Sequence, residues 1–240
     1  TYAGSITLGS GQFCTNPGLI LGIKSDSLTD FISTLSEEIV KLEPSCMLHP
    51  NIIGNYEKNK QIAIQQEGLT VNADFQDSVA VNYARQAIVT VNGLTFLNNT
   101  TLHQEVFGPF SMLVVCKDAN ELKLVISHLE GQLTGTILGE EKELQEFPEL
   151  IAALQSRVGR IIFNGVPTGV EVCPAMLHGG PYPASTDSRF TAVGVHAVNR
   201  WVRPFSFQSW PNKLLPKELT DENPLGIIRL VNGKNSKDKI

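Results

Sequence analysis

Short apolar, β-branched runs alternate along this chain with longer segments whose apolar residues recur every three or four positions, and that alternation limits the folds open to it. Residues 18–23 form a brief apolar run bounded by turn formers and are expected as a buried strand. Leu28, Phe31, Ile32, Leu35, Ile39 and Leu42 then repeat at helical spacing, Ser25 or Ser27 can cap the free amides, and Pro44 ends the run. Helices are expected again over 52–65, up to Leu129 after Asp118 or Asn120, and over 147–155, where Pro148 suits a first turn. Strands are expected over 87–91, 110–116, 133–138 and 160–163. Strand and helix in strict succession predict an α/β fold with a mostly parallel sheet between helical layers. Beyond Gly165 the pattern gives way to Gly- and Pro-rich loops. A strand over 203–210, with Phe205 and Phe207 on one face, and a frayed polar end over 233–240 complete the expectation.

With 240 residues, 42% of them hydrophobic, the chain can bury one large core or two small ones. A net charge of −5 offers no basic face to a phosphate backbone or an anionic bilayer, so neither nucleic acid nor membrane is an expected partner. No apolar run approaches the length of a spanning helix. Four cysteines, at 14, 46, 116 and 173, are too sparse and irregular for a disulfide framework, and a cytoplasmic location is the simplest expectation. The chain opens at Thr1 and enters a Gly-rich segment almost at once, from which a truncated or processed product is expected.

Cys14 lies in Gly9-Ser10-Gly11-Gln12-Phe13-Cys14-Thr15-Asn16-Pro17-Gly18, where small residues permit a tight backbone path and Pro17 could open a helical turn. Amide groups and a positive helix end would favour a thiolate and could hold an oxyanion on a carbonyl under attack. From the residues alone, a buried and inert cysteine stands as the alternative. The same segment is not a dinucleotide fingerprint, because Cys14 stands where the third glycine belongs. Cys46 with His49 and Cys173 with His178 are too far apart in sequence to read as a zinc knuckle, so no metal site is expected. His178-Gly179-Gly180-Pro181 lacks the lysine of a phosphate loop and reads as a shaped loop.

Gly11-Gln12-Phe13-Cys14-Thr15 resembles the active-site cysteine motif of the aldehyde dehydrogenase superfamily, and Gln104-Glu105-Val106-Phe107-Gly108-Pro109 resembles its cofactor-contact motif, at the separation that family requires. The resemblance continues through Gly159-Arg160-Ile161-Ile162-Phe163-Asn164-Gly165, the loop Pro167-Thr168-Gly169-Val170-Glu171-Val172, and His178-Gly179-Gly180-Pro181-Tyr182-Pro183-Ala184-Ser185. It therefore covers nearly the whole chain. The Cys-Thr-Asn-Pro-Gly and His-Gly-Gly-Pro-Tyr-Pro stretches resemble the branch that includes NADP-dependent 2,5-dioxovalerate (α-ketoglutaric semialdehyde) dehydrogenases and related fatty-aldehyde enzymes.

That resemblance implies a three-layer catalytic domain over 1–200 and an oligomerisation strand and tail over 201–240 that joins a neighbouring subunit's sheet in a homo-oligomer. It implies NAD(P)-dependent oxidation of an aldehyde to a carboxylic acid. Cys14 would attack the aldehyde to form a thiohemiacetal and then a thioester, Glu105 would bind the ribose hydroxyls of NADP or NAD, and Phe107 would pack beside the nicotinamide. The amino-terminal cofactor-binding domain, with the family's general-base glutamate, oxyanion asparagine and phosphate-binding lysine, is expected to be absent. Two rivals stand beside this reading: a cysteine hydrolase pairing Cys14 with a histidine, His103 being the tempting one, and a non-catalytic interaction or structural fragment. Recognition of a second carboxylate on the substrate would need a cation such as Arg157, Arg160 or Arg189. The chain alone is predicted neither to bind NADP tightly nor to oxidise aldehydes, and a calorimetric titration showing micromolar binding would contradict this.

Overall fold

A computed structural model describes residues 1–167, 169–171 and 173–240. The chain divides into two compact units, Thr1–Arg200 and Trp201–Ile240. In chain order the first carries α1 (Tyr2–Thr7), β1 (Leu19–Ile23), α2 (Asp26–Ile39), β2 (Ser45–Cys46), α3 (Pro50–Ile64), β3 (Leu69–Asp74), β4 (Tyr83–Ala84), β5 (Ala87–Asn92), α4 (Gly93–Asn98), β6 (Phe110–Cys116), α5 (Ala119–His128), β7 (Gln132–Ile137), α6 (Glu141–Glu146), α7 (Pro148–Gln155) and β8 (Val158–Phe163). The helix starts follow local chemistry. The Ser25 hydroxyl accepts from the Leu28 amide and the Asp118 carboxylate from the Glu121 amide, each satisfying a donor the helix leaves unpaired.

β1, β6, β5 and β3 form one sheet in that order. β6 runs parallel to both β1 and β5. β5 and β6 are buried on both faces, as strands between two helical layers must be. Ala87, Val89 and Val91 with Phe110, Met112 and Val114 face Tyr56 of α3, Phe96 of α4 and Val125 of α5. The intervening Ile88 and Leu113 face Ala3 and Ile6 of α1 and Leu35 and Ile39 of α2. A period of two thus distributes the apolar residues of each strand between two cores, giving the helix–sheet–helix sandwich.

Several expectations need correction. β3, not foreseen as a strand, pairs antiparallel to β5. It is an edge strand, exposed at Thr70, Val71 and Asn72, so it shows little apolar pattern. β7 and β8 pair in parallel with each other as a separate two-stranded sheet. The helical turn expected at Pro17 does not form, because the Asn16 amide closes a turn onto the Phe13 carbonyl and residues 16–18 pass directly to β1.

In the second unit the strand expected over 203–210 is absent. Pro204 offers no amide to a ladder, Ser209 has a left-handed φ of 54°, and no neighbouring strand in this unit receives the segment. Nor does the end fray. β9 (Arg229–Val231) and β10 (Lys234–Ser236) form an antiparallel hairpin joined by Asn232 and Gly233, both at positive φ. Asn-Gly is the pair a two-residue hairpin turn favours. The Asn223 side-chain amide donates to the Ile227 and Lys237 carbonyls, tying the hairpin's flanks together.

Ile88→Ala empties a wholly buried site and is expected to cost about 2–5 kcal/mol, whereas Val71→Ala at the exposed edge should stay within about 0.5 kcal/mol. Denaturant unfolding of the two variants against the parent checks the difference.

Candidate functional site

The turn that carries Cys14 is shaped by three successive left-handed residues, Gly9, Ser10 and Gly11, at φ 55°, 57° and 68°. Ser10 is not glycine, and its buried hydroxyl donates to the Ser45 carbonyl at 2.7 Å, which compensates for that conformation. Gln12 braces the same turn. Its amide nitrogen donates to the Gly9 carbonyl, and its oxygen accepts from the Leu48 amide.

Gly11 is there because nothing larger fits. A Cβ at this position would lie 2.2 Å from the carbonyl carbon and oxygen of Gly108, so the two backbones touch where a side chain would separate them. Gly108 is tight in turn, since a Cβ there would lie 2.2 Å from the Tyr56 ring. The Asn16 side chain donates to the Gly108 carbonyl at 3.0 Å and closes the contact. The cysteine turn and the 104–109 segment, remote in sequence, are thereby locked together. Cys14, Glu105 and Phe107 all line one cleft of about 1110 Å³ that also runs along β1 and β7. Cys14, Glu105 and Phe107 are exposed, whereas Gly108 and Pro109 behind them are buried.

The sulfur of Cys14 lies 3.3 Å from Nε2 of His178. This contact spans 164 residues, and the sequence alone gives no hint of it beyond the glycine-rich loop in which His178 stands. The loop is pinned on both sides. The buried Thr15 hydroxyl donates to the Pro167 carbonyl at 2.7 Å, and the His178 amide donates to the Thr191 hydroxyl at 2.8 Å. Thr168 and Val172 of the matching loop lie outside the described residues. Burial, and after it the positive charge of Arg160, hold the His178 imidazole below its ordinary pKa. A neutral ring with its proton on Nδ1 presents Nε2 as an acceptor to the thiol, which is the arrangement for removing a proton from sulfur.

The helical turn expected beside Cys14 does not form, and the group at its sulfur is the His178 imidazole. His103 is engaged elsewhere, with Nε2 at 2.8 Å from the Phe96 carbonyl and its ring stacked on Phe96. Cys116, unlike the exposed Cys14, is buried. Burial first, then the carboxylates of Glu121 and Asp118, push its thiol up to about 12. Of the three candidate cations, Arg189 is paired with Asp187 at 2.5 Å and Arg157 donates to the Ser127 carbonyl. Arg160 alone acts on the cysteine–histidine pair, through its charge on His178. No lysine or arginine is among the described residues lining the cleft. Among the described residues no group of three or more His, Cys, Asp or Glu is placed to hold a metal ion, and no helix is long and apolar enough to cross a membrane.

Comparison with known proteins points in one direction. No family model matches the chain. It is 40% identical over 230 residues to an alpha-ketoglutaric semialdehyde dehydrogenase of Acinetobacter baylyi, covering 95% of this chain and 44% of that enzyme. It is 38% identical over 233 residues to alpha-ketoglutaric semialdehyde dehydrogenase 2 of Azospirillum brasilense, covering 97% of this chain and 44% of that one. The chain thus spans less than half the length of these relatives. Its fold matches methylmalonate-semialdehyde dehydrogenase from Oceanimonas doudoroffii with a TM-score of 0.67 at 18% identity, over 88% of this chain and 44% of that one.

Two outcomes follow from the geometry. Iodoacetamide at mildly alkaline pH should modify Cys14 and leave Cys116 intact, as peptide mass spectrometry would report. Gly11→Ala forces the two backbones apart, so it should slow modification of Cys14 and lower stability by about 1–3 kcal/mol in chemical unfolding.

Proposed function

Since the chain belongs to the aldehyde dehydrogenase superfamily, we propose that it supplies the nucleophile and one wall of the cofactor cleft to an enzyme that oxidises an aldehyde to a carboxylic acid. The observation that carries the proposal is the 3.3 Å approach of His178 to the sulfur of Cys14, which itself lines the same cleft as Glu105 and Phe107. His178 accepts the thiol proton as sulfur adds to the aldehyde carbon, giving a thiohemiacetal, with the Cys14 amide as a donor to its oxygen. A bound nicotinamide dinucleotide, NAD or NADP, supplies the hydride acceptor. The thioester left on Cys14 is then opened by water, which frees the acid and restores the thiol.

The cleft suits only one end of such a dinucleotide. Glu105 offers a carboxylate able to accept from both ribose hydroxyls, and Phe107 offers an exposed ring to the nicotinamide face. The described lining residues include no cation for the phosphates. Phosphate binding is therefore proposed to fall to groups outside this cleft. An α-keto-acid semialdehyde is the proposed substrate, because the two curated relatives bear that activity in their names. The exposed Phe205, Phe207 and Trp210, whose rings touch one another, are proposed to pack on a second copy of the chain.

The cysteine–histidine contact would equally serve a hydrolase, and kinetics separate the two. In a full-length enzyme containing this chain, Cys14→Ser should abolish nucleotide reduction with α-ketoglutaric semialdehyde, and His178→Asn should lower its rate by roughly 10²-fold. Steady ester or thioester turnover that needs no nucleotide, without any aldehyde oxidation, would instead establish the hydrolase. Phe207→Glu should dissociate the oligomer in light scattering, and an unchanged mass would end the interface assignment.

A further inference from the structure

Arg160 sits on β8 with a half-buried side chain. Its Nη1 donates to the Met176 sulfur at 3.3 Å, and its Nη2 reaches the Thr134 hydroxyl on β7 and the Gly169 carbonyl, both at 3.4 Å. Its Nε is buried without a hydrogen-bond partner. None of these contacts is a carboxylate, and no ion pair to Arg160 is present among the described residues. A partly buried guanidinium held only by neutral groups is costly, which argues for a use of its charge. Met176 lies two residues before His178, so the guanidinium fork clamps the segment carrying the imidazole to the β7–β8 sheet. We propose that Arg160 is a positioning residue for the Cys14–His178 pair, fixing the imidazole against the thiol through its fork and acting on it through its charge.

The inference rests on the assignment of Cys14 and His178 made above. Cys14 from the turn before β1 and Arg160 from β8 are the ionisable groups that act on His178 among the described residues. The Arg160 charge disfavours imidazolium beside it, in the same direction as burial. Removing that charge lets the ring hold its proton to higher pH. Proton removal from Cys14 by His178 is then lost earlier as pH falls, so the acid limb of thiol reactivity moves upward. Lysine keeps the charge but, with a single nitrogen, cannot reach Met176, Thr134 and Gly169 together. Charge and fork are thus separable.

The test is the rate of Cys14 alkylation by iodoacetamide, read by peptide mass spectrometry from about pH 5 to about pH 9, on this chain and its Arg160→Met, Arg160→Lys and His178→Asn variants. Arg160→Met should move the acid limb to higher pH and lower the plateau roughly tenfold or more. Arg160→Lys should return the limb to the parent's position while the plateau stays low. Circular dichroism melting reports folding, and if Arg160→Met does not fold, Arg160→Lys decides alone. A lysine profile superimposable on the parent's, or a displaced limb in that variant, would overturn the proposal. So would an unmoved limb in folded Arg160→Met. If His178→Asn keeps the parent's acid limb, the Cys14–His178 assignment itself fails, a result distinct from failure of Arg160.

Discussion

Backbone contact between Gly11 and Gly108 is the constraint on which the site depends. Two segments far apart in sequence approach so closely that a single Cβ at Gly11 would overlap the carbonyl of Gly108. The Asn16 side-chain amide then donates to that same carbonyl, and Tyr56 fills the space behind Gly108. A side chain at either glycine would force the turns apart and carry the thiol away from the cleft rim. The parallel pairing of β1 and β5 with β6 sets the approach, since the cysteine turn leads into β1 and the 104–109 segment leads into β6. Adjacent strand starts place their preceding loops side by side.

The chemistry then follows from contrast among environments. Cys116, at the end of β6 between two helical layers, is a packing residue whose thiol burial keeps protonated. Cys14 stands exposed with an imidazole on its sulfur. The two cysteines thus differ in solvation and in the group beside the sulfur. Glu105 and Phe107 meet the thiol across one cleft, although their side chains contribute nothing to the core. Residues so exposed and so grouped are better explained by a ligand than by folding.

Most of the sandwich was legible in the sequence because its causes are local. Ser25 and Asp118 cap their helices through bonds three residues long, and β6 announces itself by an unbroken apolar run. β3 stayed hidden because half its residues face solvent and its pairing with β5 is set by the fold. The segment over 203–210 has aromatic residues at strand spacing but no strand beside it in its own unit. The Asn232-Gly233 turn was a readable hairpin signal that the polar composition around it obscured. Cys14, Glu105 and Phe107 stand in two motifs legible in the sequence. Sequence places His178 in a glycine-rich loop, and only tertiary structure brings that loop onto the sulfur.

The central claim is that the sulfur of Cys14 becomes covalently bonded to the aldehyde carbon. It is tested most directly by acid-quenching a full-length enzyme containing this chain during turnover with α-ketoglutaric semialdehyde and dinucleotide, then weighing its peptides. The account predicts the mass of the acyl group on the peptide bearing Cys14 and on no other cysteine peptide. Turnover with that peptide unmodified, or with the acyl group on Cys46 or Cys173, would contradict it.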